Sequence, residues 1–183
     1  MPFVYGLVGI ALALLLWGVS VYNKLISLRN LKDEAFATMD VYMKKRYDLI
    51  PNLVETVKGY ASHEKETFEK VVQARSAAMG ATSIEERQAG ENMLTGTLRS
   101  LFALAENYPD LKANAGFLDL QSQLQKVEED IAQSRKYYNA VVKDYNTRTE
   151  LFPGSVIANM FGFKRGAYFE IETGERENVR VNF

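Results

Sequence analysis

Apolar residues dominate the start of the chain. Residues Phe3 to Tyr22 carry no charged side chain, and the first charge is Lys24. A helix rises about 1.5 Å per residue, so a run of roughly 20 apolar residues spans the ~30 Å hydrocarbon core of a bilayer. Trp17 and other aromatic residues near the two ends suit the membrane interfaces. The run therefore predicts a transmembrane anchor over residues 1–23, with the lipid bilayer as a partner.

Two other interpretations of this run stay open. A cleaved signal peptide normally begins with a basic region, which is missing here, although Gly18 to Ser20 offers a small-x-small cleavage site. A buried helix of a soluble protein is normally shorter or interrupted by polar positions.

Flanking charges predict the orientation of the anchor. Lys24, Arg29 and Lys32 follow the run, whereas only the α-amino group precedes it. Because cytoplasmic flanks carry an excess of Lys and Arg, we expect the N-terminus outside and the C-terminal body in the cytoplasm.

Apolar side chains continue after the anchor at steps of three and four residues, with no Gly/Pro/Ser linker. This spacing is typical of one face of a helix. The face comprises Leu28, Leu31, Ala35, Met39, Tyr42, Ile50, Leu53, Val57 and Tyr60. Phe68 and Val71 extend it to Gly80, so the pattern predicts one helix from Phe3 to Met79.

Two further long helices follow. Capping boxes formed by Thr82 with Glu85 or Ser83 with Glu86 predict a second helix that begins near Ile84. Later apolar residues alternate at three and four positions from Leu120 to Tyr145, interrupted at Ser134, which is coiled-coil-like spacing suited to an antiparallel bundle.

The pattern changes at Pro153, which ends the third long helix and could begin a short one. The stretches "AYFEIE" and "NVRVNF" then alternate as extended segments do. We predict an all-α protein with an anchor at 1–23, a helical bundle at 24–152, and a short helix with an extended tail at 153–183. The segment "SVIANMFGFKRGAYF" could cover the bundle end, lie on a membrane surface or contact a partner; we prefer the first.

Composition excludes several classes of function. The formal net charge is -1, without the clustered Lys/Arg excess that a strongly basic nucleic-acid binder needs. The chain contains no cysteine, which excludes disulfides, thiolate zinc sites, iron–sulfur clusters and a cysteine nucleophile.

Candidate chemistry is sparse. His63 is the only histidine, and "HEKET" lacks the second histidine of a zinc-protease helix. The acidic run from Glu128 to Asp130 points in different directions on a helix, and we expect these carboxylates to be solvated. Phosphate-binding loops and a serine-hydrolase elbow are missing. We therefore predict no enzyme, no metal or cofactor, and no small-molecule substrate.

Pro51 lies inside a stretch that otherwise has helical spacing. Its ring removes one backbone hydrogen bond and clashes with the carbonyl of Tyr47, at a cost of about 3 kcal/mol, so we expect a kink and a compensating contact or partner. Polar residues are dense around it. Structural support is the simpler role for them, and a ligand site is the alternative; the candidates are Arg46, Asp48, His63 and Glu64.

Three long segments resemble the LemA family. They are "YNKLISLRNLKDEAFATMDVYMKKRYDLIPNLVETVKGYASHEKETFEKVVQAR", "YPDLKAN" and "SRKYYNAVVKDYNTRTELFPGSVIANMFGFKRGAYFE". The chain departs from the family pattern at Phe36, where tryptophan is usual, and at Gly154 to Val156. The resemblance implies a single-pass bacterial membrane protein with an antiparallel helical bundle and no known enzymatic activity. It also implies a connection with an HtpX-like zinc protease and with magnetosome membrane formation.

These observations favour a membrane-anchored scaffold or interaction protein that self-associates in the bacterial inner membrane. We expect the bend at Pro51 to aim the upper helix so that neighbouring subunits pack along Leu28, Leu31, Ala35 and Met39. The alternative is an accessory or regulatory subunit of a membrane protease or signalling complex.

Overall fold

The computed structural model describes residues 1–170 and contains six helices in this range. They are α1 (Pro2–Lys58), α2 (Lys65–Gly80), α3 (Ile84–Ala105), α4 (Pro109–Lys112), α5 (Ala115–Glu150) and α6 (Gly154–Met160). Residues 1–170 contain no strand, which confirms the all-α prediction. The predicted extended segment "NVRVNF" lies outside the described residues.

The first predicted helix is two helices. α1 ends at Lys58 and α2 begins at Lys65, so the prediction of one helix to Met79 is wrong. The backbone N–H of Ala61 still donates to the Val57 oxygen at 2.9 Å, which closes a last helical turn before the chain changes direction. Gly59 has low helix propensity and Ser62 competes for backbone hydrogen bonds, so the connection is weakly helical.

Inter-residue contacts divide the chain into two compact units. Unit 1 comprises Met1–Thr38 and Ser134–Tyr168, and unit 2 comprises Met39–Gln133 with Phe169 and Glu170. The segments predicted from sequence were divided after residues 23 and 152. The two compact units are divided elsewhere, because α1 and α5 each contribute to both.

Unit 1 contains the N-terminal apolar run. Within the described residues, α1 alone is long and apolar enough to cross a membrane, and none of its most apolar window is buried. This is consistent with a membrane anchor. Further along α1, Phe36 contacts the ring of Tyr138 on α5 edge to face, with the centroids 5.7 Å apart. The phenylalanine thus provides aromatic packing where tryptophan is usual in the family.

Residues 163–168 follow the surface of α5 in unit 1 as irregular chain. The hydroxyl of Tyr138 donates to the Ala167 oxygen at 2.9 Å, and that of Tyr145 donates to the Lys164 oxygen at 3.0 Å. The side-chain amide of Asn146 donates to the Gly166 oxygen at 3.0 Å and accepts from its N–H at 2.8 Å. Packing against the bundle is the role that we preferred for the C-terminal segment from its sequence.

Unit 2 is built around the helical hairpin of α2 and α3. Ser83 caps α3 by accepting from the backbone N–H of Glu86, and Glu86 reaches back to the N–H of Ser83, which confirms the second predicted capping box. Gly90 on α3 is buried close to α2: a Cβ added there would lie 2.7 Å from the Cα of Ala78. The hairpin therefore packs as closely as its backbones allow.

Candidate functional site

A buried ion-pair cluster lies inside unit 2. Arg46 on α1 and Glu91 on α3 are 1% and 6% exposed, and they form a salt bridge through Nη2 and Oε2. The other carboxylate oxygen of Glu91 accepts from the hydroxyl of Tyr47. On α5, Glu128 accepts from Arg46 Nη1 at 2.5 Å. Three helices are therefore joined through one guanidinium.

Burial dominates the electrostatics of this cluster. Desolvation raises the pKa of Glu91, against the opposing effect of the Arg46 charge. Desolvation and the neighbouring Glu91 carboxylate also raise the pKa of the Tyr47 hydroxyl. Both shifts disfavour ionisation, so Tyr47 is a poor source of a phenolate at neutral pH. The hydroxyl instead serves as a donor that satisfies a buried carboxylate.

The guanidinium of Arg46 has little capacity for a ligand. Nη1 and Nη2 are occupied by the two carboxylates, and Thr95 Oγ1 lies 3.4 Å from Nη1. Its Nε is buried, and no group among residues 1–170 accepts a hydrogen bond from it. The arrangement is that of a structural cross-link with one member, Glu128, partly open to solvent.

Two of these partners border a cavity of about 380 Å³ between α3 and α5. Thr95 and Glu128 form part of its polar wall, and Leu98, Phe102 and Leu124 are among its apolar lining. Glu128 was expected to be solvated; its side chain is 41% exposed, and its carboxylate also binds Arg46. Residues 1–170 contain no group of three or more side chains that could hold a metal ion.

The four candidate ligand-site residues do not converge. Arg46 is buried, whereas Asp48 and His63 are exposed and Glu64 is half-buried. Neither this cavity nor a further one in unit 1 is lined by any of them. Pro51 is exposed within an α1 that continues through it without a break. The polar residues of this stretch therefore lie on different surfaces of α1 and in the connection from α1 to α2.

The face predicted for subunit packing is mostly covered by the chain itself. Leu28, Ala35 and Met39 are buried, and Leu31 is half-buried. The prediction assumed excess apolar surface on a helix that ran to Met79. Because that helix ends at Lys58 and its apolar face is already packed, these residues offer little area to a second subunit.

Sequence reasoning missed Glu91, the central acid of the cluster. A signal existed: Glu91 precedes Leu94 and Leu98 by three and seven residues, so it lies on the apolar face of α3. Arg46 likewise lies between Met43 and Ile50 on the apolar face of α1. Opposite charges on the apolar faces of two helices of one bundle predict a buried pair, because neither is tolerated there alone.

Comparison with known proteins places this arrangement in context. The sequence model of the LemA family matches residues 35–183. Protein LemA of Metamycoplasma hominis is 26% identical over 161 residues, which cover 86% of this chain and 72% of that protein. Magnetosome protein MamQ 2 of Paramagnetospirillum magneticum is 24% identical over 175 residues, which cover 81% of this chain. Magnetosome protein MamQ of Magnetospirillum gryphiswaldense is 24% identical over 174 residues. The chain spans 64% of the length of each of these two magnetosome proteins.

Proposed function

We propose, from the premise that this chain belongs to the LemA family, that it is a membrane-anchored helical interaction protein that self-associates. One observation carries the proposal: α1 continues from a wholly exposed apolar window into the packed region without an intervening loop. A helix that spans a bilayer and continues outside it without a loop joins the packed chain directly to the membrane. That geometry suits a scaffold better than a freely diffusing enzyme.

The polar side chains support a role without catalysis. Arg46, Tyr47 and Glu91 satisfy one another, and burial keeps Tyr47 protonated. A catalytic acid or base has to reach its substrate within hydrogen-bonding distance. The one partly exposed member, Glu128, is engaged by Arg46 at 2.5 Å.

Self-association would use surfaces other than the one predicted from sequence. Apolar side chains remain exposed on four helices: Val41, Val72, Met93, Leu118 and Tyr137. Single exposed apolar residues are common, and each by itself says little. Anchored copies, however, are confined to one plane, which raises the effective concentration of each for its neighbours. Weak contacts at such positions then suffice for assembly.

Because the chain contains no cysteine, single introduced cysteines can test self-association directly. Single cysteines at Val41, Val72, Met93, Leu118 and Tyr137 are oxidised in native membranes, and adducts are identified by mass. The exposed polar Gln73 gives a matched control for Val72. We expect disulfide-linked dimers from at least one apolar position and few from Gln73→Cys. No self-adduct at any position would contradict self-association, and one stoichiometric foreign protein in a bifunctional crosslink would favour the accessory-subunit alternative.

We further propose that the chain lies in the bacterial inner membrane with its N-terminus outside. Lys24, Arg29 and Lys32 support this orientation through the positive-inside rule. Lys126 on α5 is exposed, so a Lys126→Cys variant reports the side on which the body lies. A membrane-impermeant maleimide should label it only after lysis. Labelling in intact cells would reverse the orientation and leave the anchor unaffected.

A further inference from the structure

Unit 1 contains a cavity of about 650 Å³ between α1 and the connection from α5 to α6. On the α1 side its wall includes Trp17, Val21, Lys24 and Leu28. These residues follow one another at steps of three and four, so a single face of α1 forms the wall. The cavity is large enough for the polar end of a lipid and part of its acyl chains.

The position of the cavity along α1 indicates its surroundings. Trp17 belongs to the apolar run, and Lys24 is the first charged residue of the chain. Seven residues of helix separate them, which is about 10 Å along the axis. One polar layer of a bilayer is about 5–8 Å deep, so the Trp17 end of this length lies in the hydrocarbon core. The cavity therefore extends from the apolar run to the first charged residue, which faces the aqueous side of the interface.

Two cations line the cavity at this polar end. Lys24 from α1 and Arg148 from α5 both contribute to its wall, together with the carboxylate of Asp144. Among the described residues, neither cation forms a salt bridge with a carboxylate. Arginine and lysine are the side chains that bind phosphate, and apolar walls beside them suit acyl chains. Asp144 can accept a hydrogen bond from a hydroxyl of a glycerol headgroup.

α6 adds an apolar surface at the same level. Its Ile157 is close to α1 at Gly18, where an added Cβ would lie 3.7 Å from Ile157 Cδ1. Phe161, which follows α6, contacts the ring of Tyr22 with the centroids 4.7 Å apart. Although α6 packs beside the end of the apolar run, Phe152 is 83% exposed and Met160 69% exposed.

Exposed apolar side chains beside a membrane span can be covered by the lipid of the bilayer. Lys164 and Arg165 lie four and five residues after the end of α6, so this segment combines apolar and basic residues, as interfacial segments do. Long basic side chains reach from such a segment to the headgroups. The C-terminal segment thus packs on α5 through residues 164–167 and presents its remaining apolar side chains to lipid.

We propose that this cavity binds an anionic phospholipid of the surrounding bilayer. Lys24 and Arg148 hold the phosphate, and an acyl chain runs past Val21 and Trp17 toward the apolar run. α6 enters the interfacial layer of the same leaflet. The inference rests on the membrane anchoring proposed above.

Trp17 makes the proposal directly testable, because it is the only tryptophan in the chain and it lines the cavity. The full chain is reconstituted in phosphatidylcholine vesicles that contain increasing fractions of a phospholipid brominated near the headgroup end of its acyl chains. Bromine quenches tryptophan fluorescence at contact. Brominated phosphatidylglycerol should reach half-maximal quenching at roughly a tenfold lower mole fraction than brominated phosphatidylcholine.

Substitutions of Lys24 and Arg148 test whether these two cations cause the lipid preference. Lys24→Gln with Arg148→Gln should remove the difference between the two lipids, whereas Lys126→Gln with Lys136→Gln removes the same charge from exposed positions on α5 and should preserve it. Arg148→Lys keeps the charge and should retain most of the preference. Helicity and melting of each variant are measured in the same vesicles, and Arg148→Lys and the single Lys24→Gln carry the test where the double variant does not fold.

Each outcome is decisive. Equal quenching by the two lipids in the native chain overturns the anionic lipid site while the anchor stands, provided the protein floats with the vesicles. A preference that survives in the folded Lys24→Gln/Arg148→Gln variant also overturns it. A chain that neither floats with the vesicles nor is quenched overturns the anchoring together with the site.

Discussion

Arg75 on α2 donates its Nε–H to the backbone oxygen of Tyr47 on α1, at 2.7 Å. Pro51 stands four residues after Tyr47 and has no N–H, so it leaves this oxygen without its usual helical donor. The guanidinium therefore replaces the hydrogen bond that the proline removes. It also joins α1 to α2 at the point where the sequence led us to expect compensation for the proline.

The first prediction concerns this replacement. Arg75→Ala should lower the free energy of unfolding by about 1.5–3 kcal/mol, because a hydrogen bond from a charged donor is lost. Pro51→Ala restores an N–H for Tyr47 and removes a helix-breaking residue, so it should be neutral or stabilising. In the Pro51→Ala background, the cost of Arg75→Ala should fall below about 1 kcal/mol.

Urea unfolding of the full chain in mild detergent, followed by circular dichroism, gives the four free energies of this cycle. Arg75→Lys serves as a control that keeps the charge but loses the geometry of Nε. Strictly additive effects of the two substitutions would show that Arg75 stabilises α2 by another route.

The second prediction concerns the buried pair of Arg46 and Glu91. Arg46→Met should cost about 3–5 kcal/mol, because it leaves the buried Glu91 carboxylate without its cation. Glu91→Leu should cost less, because Arg46 keeps its salt bridge to Glu128. The double substitution should recover part of that loss, since the two apolar side chains need no partner, whereas the buried Tyr47 hydroxyl loses its acceptor. Unfolding of all four proteins at neutral pH checks this, and a double variant as unstable as the sum of the singles would argue against charge burial as the cause.

The third prediction contrasts two glycines of α3. At Gly90 a Cβ would lie 2.7 Å from the Cα of Ala78 and 2.9 Å from its nitrogen, whereas at Gly96 it would meet nothing within 4 Å. Gly90→Ala should destabilise by about 1–3 kcal/mol through overpacking of α2 against α3. Gly96→Ala should stabilise by up to about 1 kcal/mol through helix propensity. The thermal midpoints should therefore move in opposite directions.

The fourth prediction concerns the C-terminal segment. Asn146→Ala removes both hydrogen bonds to Gly166, whose N–H and oxygen are buried, and should cost about 1–3 kcal/mol. Thr147, the exposed neighbour, gives a control in Thr147→Ala. Hydrogen exchange of the amide of Gly166 should accelerate only in Asn146→Ala. Deletion after Phe152 should lower the melting temperature further, because it removes the whole packed segment.

The fifth prediction concerns pH. Hydrogen bonds from Thr82 and Ser83 lower the pKa of Glu86 below its ordinary 4.5. A lowered carboxyl pKa stabilises the folded state above the unfolded pKa, and the stabilisation is lost as pH falls through the folded value. Glu86→Ala should therefore lower the melting temperature at pH 7 and have little effect near pH 3. Glu85→Ala, at an exposed neighbouring position, is the control for the loss of a carboxylate from this turn.

The sequence by itself determined the elements that depend on local physics. The apolar run from Phe3 to Tyr22, the capping box of Ser83 and Glu86, and the helix break at Pro153 each result from hydropathy, hydrogen bonding or backbone restriction among near neighbours. Burial of Leu28, Ala35 and Met39 also agrees with their helical spacing.

Only the tertiary structure decided which distant groups meet. The partners of Arg46 lie 45 and 82 residues away, and Arg75 meets a carbonyl 28 residues before it. The turn at Gly59 and Ser62, which separates α1 from α2, had no signal strong enough to outweigh the apolar spacing on both sides. Hydrophobic period fixes which face of a helix is buried. It leaves open which helix covers that face, because apolar burial is non-directional and the choice depends on charges and close backbone contacts brought together by the fold.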